Sequence, residues 1–92
     1  MTISGNKFTI LYAKSVKKDI RNIPPDILSH IKVSIEKLQK FPNLSNIKKL
    51  SSYPLADFRL RVGNYRVLFD VDFDNNIIEV LKIGHRRDVY DE

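Results

Sequence analysis

Ninety-two residues make one small domain with a two-layer core, too small to enclose a large cofactor. With no cysteine the chain has no disulfide framework, no thiolate metal site and no cysteine nucleophile, which fits a reducing, cytoplasmic setting. Sixteen Lys and Arg against eleven Asp and Glu leave a net charge of +5, placed unevenly: residues 1–45 hold eight basic and three acidic side chains and residues 46–92 eight of each, so the first half carries the field that draws a polyanion or an acidic partner.

The opening Met1-Thr2-Ile3-Ser4-Gly5-Asn6-Lys7 has neither the basic nor the apolar region of a signal peptide. No apolar run nears the roughly 20 residues of a membrane span, so a soluble, unprocessed chain is expected. Residues 7–12, Lys-Phe-Thr-Ile-Leu-Tyr, are rich in aromatic and β-branched side chains and predict a first strand. Over residues 13–22, Val16 and Ile20, followed by Ile23, recur at helical spacing among lysines, predicting a short amphipathic helix that Pro24-Pro25 stops. Pro25 tolerates a first helical turn and the Asp26 carboxylate favours its positive dipole end, so a second helix begins there. Ile27, Ile31, Ile35, Leu38 and Phe41 give it an apolar stripe, and Pro42 ends it.

Residues 43–54 mix turn-formers with Leu44, Ile47, Leu50 and Tyr53, which predicts an irregular connector tacked to the core. Three strands complete the chain, at residues 57–62, 64–72 and 77–86, joined by Gly63-Asn64 and by Phe73-Asp74-Asn75-Asn76. In the last strand Ile77, Leu81 and Ile83 oppose Ile78 and Val80, so both faces are apolar and a central place in the sheet is expected. The order β-α-α-β-β-β predicts an α+β fold, with two helices packed on one face of a twisted, mainly antiparallel, four-stranded sheet. The whole chain, residues 1–92, is a single domain, without repeat or linker.

Alternation along the strands sorts side chains by face. Phe58, Leu60 and Val62 enter the core while Arg59 and Arg61 point away, and Tyr65, Val67, Phe69 and Val71 lie opposite Arg66, Leu68 and Asp70. Since the helices cover one face, Arg59, Arg61 and Arg66 are expected in the concavity of the other, with residues 86–90 at its rim. Guanidinium forks grip phosphate at two points, and Tyr and His rings stack on bases or carry protons. That combination points to RNA.

Leu60-Arg61-Val62-Gly63-Asn64-Tyr65-Arg66-Val67-Leu68-Phe69-Asp70-Val71, followed by Ile83-Gly84-His85-Arg86-Arg87-Asp88-Val89-Tyr90, resembles the RelE/ParE superfamily of toxins from toxin–antitoxin systems. The element order and the Lys48-Lys49-Leu50 connector agree with it, so the resemblance covers nearly the whole chain. It implies a cytosolic growth-inhibiting toxin that cuts messenger RNA in the ribosomal A site and is held inactive, as a hetero-oligomer, by a cognate antitoxin. It implies no metal and no cofactor. Two other readings stay open: a ParE-like inhibitor of DNA gyrase without ribonuclease activity, and a decayed toxin that retains only antitoxin binding.

Cleavage by a ribose 2′-hydroxyl needs a proton acceptor, cations around the phosphoryl oxygens, and a proton for the departing 5′-oxygen. By similarity to RelE, Arg66 is the phosphate clamp, Arg86 acts at the scissile phosphate or leaving group, and Tyr90 stacks on or orients the base. Arg59, Arg61, Lys48, Lys49 and Arg87 are the expected RNA-binding cations. Where RelE carries two lysines this chain has Asp57 and Arg59, and a guanidinium is a poor proton acceptor. Asp57 and His85 are therefore the candidate bases, unless Asp57 merely starts its strand and His85 is structural. For Arg66 and Arg86 the alternative is a salt bridge to Asp70 or Asp88, and for Tyr90 it is packing at the chain end.

Overall fold

The computed structural model describes residues 7–89, so Tyr90 lies outside the described residues. In chain order the elements are β1 (Thr9–Tyr12), α1 (Val16–Ile20), α2 (Pro25–Glu36), β2 (Ile47–Lys49), β3 (Phe58–Val62), β4 (Tyr65–Asp72) and β5 (Ile77–His85), with a 3-10 turn at Lys37–Lys40 closing α2. The sheet order is β1-β5-β4-β3-β2, with β1 parallel to β5 and every other pairing antiparallel. Among the described residues no helix is long and apolar enough to cross a membrane.

The α+β class holds, and the sheet gains a fifth strand. Ile47–Lys49, expected as connector, pairs with Leu60, Arg59 and Phe58 of β3. Three residues among turn-formers carry no strand signal of their own; the exposed edge of β3 supplies the hydrogen bonds that order them. On α2 the buried stripe is Ile31 and Ile35, continued by Leu38 in the 3-10 turn, with Leu28 against it, while Ile27 is 36 % exposed at its margin.

As expected, β5 is internal, flanked by β1 and β4. Its two apolar faces are explained by a bulge: Leu68 opposes Lys82 and Phe69 opposes Val80, leaving Leu81 as the extra residue. The bulge resets the alternation, so Ile78, Val80 and Ile83 all enter the main core with the helices, and Leu81 turns to the other face. The expected grouping of Ile77, Leu81 and Ile83 is thereby corrected.

Beyond Val80, β5 has no strand beside it on the β1 side, because Tyr12 is the last paired residue of β1. Helix α1 takes over that edge. Ser15 Oγ donates to Leu81 O at 3.0 Å, and the Asp19 carboxylate accepts Ile83 N–H at 3.0 Å while lying 3.7 Å from Lys82 Nζ. Two side chains one helical turn apart thus satisfy backbone groups that would otherwise be lost from the ladder.

The main core lies between the helices and the sheet, around Phe69, Val67, Leu60, Ile31 and Ile35. The opposite face is not bare. Leu68 packs there with Leu50, Ala56 and Val89, and Tyr53 and Leu81 lie against them, so the connector and the C-terminal segment shield the middle of the face expected to be open.

Candidate functional site

The β3–β4 hairpin organises the cationic end of this second face. Gly63, first of the two central turn residues, has φ +57°, a conformation that suits glycine and matches the twist of a tight hairpin. Across the turn Arg61 stands directly opposite Arg66, which stands opposite Gly84 of β5. Two like charges in direct cross-strand register repel. Arg66 relieves this by folding toward the hairpin tip, where its Nη1 donates to Gly63 O and Tyr65 O, each at 3.0 Å.

Arg66 is only 5 % exposed, which corrects the expectation of an open guanidinium in a concavity. Alternation assigns its face correctly but says nothing of what lies above it. Next to it Gly84 lies so close beneath Val89 that an added Cβ would sit 2.7 Å from Val89 Cγ2, and Val89 is 4 % exposed. The C-terminal segment is therefore pressed onto the sheet beside Arg66 through the one strand position without a side chain.

Arg61 is exposed, and its backbone is held on both sides by Asn46: Arg61 N–H donates to Asn46 O at 3.0 Å and Asn46 Nδ2 donates to Arg61 O at 2.8 Å. Arg86 N–H donates to Asn64 O at 2.7 Å, so the turn after β5 is fastened to the same hairpin tip. Arg86 and Arg87 are exposed on that turn. A second row crosses the same face one step away, with Lys48 opposite Arg59 and Arg59 opposite Leu68; Arg59 is half-buried and Lys48 exposed. Lys49 pairs with Phe58 and so belongs to the other face.

His85 does not join the arginines. It stands opposite Tyr65, and Tyr65 opposite Val62, so it occupies the helix-side face, with its ring 5.4 Å from that of Tyr65 at 70°. Its Nδ1 accepts Arg87 N–H at 3.3 Å, and Asp88 N–H donates to its carbonyl at 2.8 Å. Accepting at Nδ1 assigns the proton of the neutral ring to Nε2 and engages the only lone pair a base would use. In this arrangement His85 holds the turn that presents Arg86 and Arg87.

Asp57 is farther off, four residues along β3 from Arg61, or about 13 Å. Its N–H donates to Asp70 Oδ1 at 2.7 Å and its carbonyl accepts Leu50 N–H at 2.8 Å. It lies immediately before β3, and the Asp70 carboxylate, expected as a partner for Arg66, is engaged there. The site thus gathers Arg61, Arg66, Arg86 and Arg87 at one hairpin end, sets Lys48 and Arg59 beside them, and leaves Asp57, His85 and Lys49 elsewhere.

Two contributors were not singled out from the sequence. Asn46 lies in a polar stretch whose pairing with Arg61 has no local signal. Gly84 did carry one, as a glycine inside a strand pattern marks a close backbone approach.

The family model for the ParE toxin of type II toxin–antitoxin systems matches residues 10–90. Toxin RelE3 of Methanocaldococcus jannaschii is 36 % identical over 86 residues, spanning 89 % of this chain and 94 % of that toxin. Toxin RelG of Mycobacterium tuberculosis is 27 % identical over 84 residues, covering 90 % and 95 % of the two chains. Among solved structures, the RelBE2 toxin–antitoxin complex of Mycobacterium tuberculosis superposes with a TM-score of 0.74 at 26 % identity, over 87 % of this chain and 99 % of the other. The RelB–RelE complex of Methanococcus jannaschii gives 0.66 at 36 % identity, over 87 % and 94 %. Matched over nearly its whole length in sequence, and in fold by the toxins of solved toxin–antitoxin complexes, the chain belongs to the RelE/ParE superfamily, as a toxin of a type II toxin–antitoxin system.

Proposed function

We propose that this toxin is an endoribonuclease that cuts messenger RNA in the ribosomal A site in the cytoplasm and so arrests translation and growth. The observation that carries the reading is the convergence of Arg61, Arg66, Arg86 and Arg87 on one hairpin end, fixed by Arg86 N–H to Asn64 O at 2.7 Å. In the proposed reaction the ribose 2′-oxygen attacks phosphorus as its proton leaves. The bond to the 5′-oxygen breaks and that oxygen takes up a proton, leaving a 2′,3′-cyclic phosphate. Negative charge grows on the phosphoryl oxygens, and guanidiniums brought to the same hairpin end stabilise it.

Arg61 and Arg86 are exposed and take that role. Arg66, nearly buried, braces the tip from beneath. His85, next in the chain to Arg86, is the candidate proton acceptor once its bond from Arg87 N–H opens and its ring turns from the helix-side face. Tyr90 is proposed to orient the base. Lys48 and Arg59 continue the cationic track along the RNA. A cognate antitoxin is the proposed partner, by analogy with the toxin–antitoxin complexes of the relatives.

The ParE toxin family match favours a second reading, inhibition of DNA gyrase without RNA cleavage. Induced expression separates the two. Wild type should arrest growth with new transcript ends at in-frame positions, and Arg61→Ala and Arg86→Ala should each cut at least tenfold less, tenfold being about 1.4 kcal/mol of transition-state stabilisation. Growth arrest with intact transcripts and a DNA-damage response would replace the ribonuclease reading by the gyrase one.

A further inference from the structure

At the opposite end of β4, seven residues or about 23 Å from the hairpin tip, lies a cleft of about 590 Å³ that the proposed reaction does not use. Its apolar walls are Phe8, Phe41 and Phe73. Phe8 and Phe41 are buried, but Phe73 is 63 % exposed, the most exposed of the large apolar side chains described. The Phe73 ring lies 6.4 Å from Phe8 and 6.1 Å from Phe41, so it extends the internal aromatic cluster into solvent.

Polar groups complete the cleft. Lys7 and Lys40 line it with no carboxylate among the described lining residues, and Gln39, Asn43 and Asn76, whose side-chain amides are each both donor and acceptor, line it with them. The walls are held in place by backbone and side-chain bonds. Thr9 N–H donates to Asn76 O at 2.8 Å and Asn43 N–H to Lys40 O at 3.1 Å. The Asp72 carboxylate accepts from Asn75 Nδ2 at 2.9 Å, Asp74 N–H at 3.1 Å and Asn75 N–H at 3.2 Å. These bonds, led by that from the Asn75 side chain, hold the Asp72 carboxyl below the ordinary carboxylate range.

An exposed ring for stacking, amides that match the edge of a base, and two ammonium groups for its phosphate are the components of a nucleotide site. The volume falls within the range of small-ligand pockets, roughly 300–1,000 Å³. We infer that this cleft, formed by Phe73, Lys7 and Lys40 with the amides between them, is a second RNA-binding site that captures an unpaired nucleotide away from the scissile phosphate. The choice of RNA as ligand rests on the function proposed above; the location does not.

The test is nuclear magnetic resonance of the full-length toxin titrated with adenosine 5′-monophosphate, beside Phe73→Ala and Lys40→Glu. Saturable shifts of the Phe8, Phe41, Phe73 and Asn76 amides are expected, with affinity at least fivefold weaker in Phe73→Ala and lowered again in Lys40→Glu. Because Phe73 is largely exposed, its removal leaves the fold intact, checked by an unchanged spectrum elsewhere. Shifts confined to the Arg61–Arg86 end, shifts that survive Phe73→Ala, no shifts at all, or preferential binding of an acidic aromatic peptide in the cleft would each overturn the inference. A toxin that cuts transcripts without these shifts loses only this site, and one that shows the shifts without cutting loses only the ribonuclease reading.

Discussion

Arg66 shows how one side chain can be both a charge and a structural brace. A guanidinium kept from solvent must find acceptors, because its five donors bind water strongly when free. Two turn carbonyls at 3.0 Å supply part of that need and in return fix the hairpin tip. Arg66→Ala should therefore lower stability by about 1.5–3 kcal/mol, the range for hydrogen bonds to a charged group, read as a shift of the urea midpoint at constant slope. Arg66→Lys should recover only part of it, since an ammonium on a thinner stem cannot reproduce the planar fork. A midpoint unchanged in Arg66→Ala would show that these bonds do not support the fold and would free the residue for a purely catalytic role. The face of Arg66 was legible in the sequence, because alternation along Tyr65–Asp72 assigns faces. Its depth was not, since alternation along one strand says nothing of what lies over a side chain.

Gly84 sets the corresponding constraint between elements. The C-terminal segment can lie flat on β5 only where the strand lacks a side chain, and Val89 fills that gap with its Cγ2. Gly84→Ala forces a methyl group into contact at 2.7 Å, so the segment must shift, at a cost of about 1–3 kcal/mol by the measure of overpacked cores. Pairing it with Val89→Ala should remove most of the clash, so the two changes together should cost less than the sum of the singles, measured by a double-mutant cycle in urea. Strict additivity would mean that the tail does not bear on Gly84. The legible elements are those that announce themselves locally. Gly63-Asn64 and the Asp-Asn-Asn run fix two hairpins by turn chemistry, and Pro24-Pro25 fixes the helix boundary. The strand Ile47–Lys49 and the Leu81 bulge escaped for a shared reason. Each exists because a neighbouring strand offers a partner in a particular register, and neither changes the local apolar pattern in a way that a single strand would reveal.

Across the whole molecule the positive charge serves more than one surface. Lys14, Lys17, Lys18 and Arg21 are exposed on and beside α1, whereas Arg61, Arg86 and Arg87 surround the hairpin tip. A body of 43 × 31 × 25 Å is several times larger than the roughly 8 Å over which charges act in physiological salt, so these groups behave as separate fields toward a bound polyanion. Only cations that touch phosphate release counterions, and for a single strand each contributes about 0.7 to the slope of log affinity against log salt. Arg61→Ala should therefore reduce that slope by about 0.7 for a single-stranded, non-cleavable RNA, measured by fluorescence anisotropy between roughly 50 and 200 mM salt. Lys14→Ala should lower affinity slightly at low salt through the long-range field and leave the slope unchanged. Equal slope changes in the two variants would mean that RNA lies across the helices as well as the sheet. The arginine cluster would then be one part of a diffuse basic surface instead of the place where the strand is held for cutting.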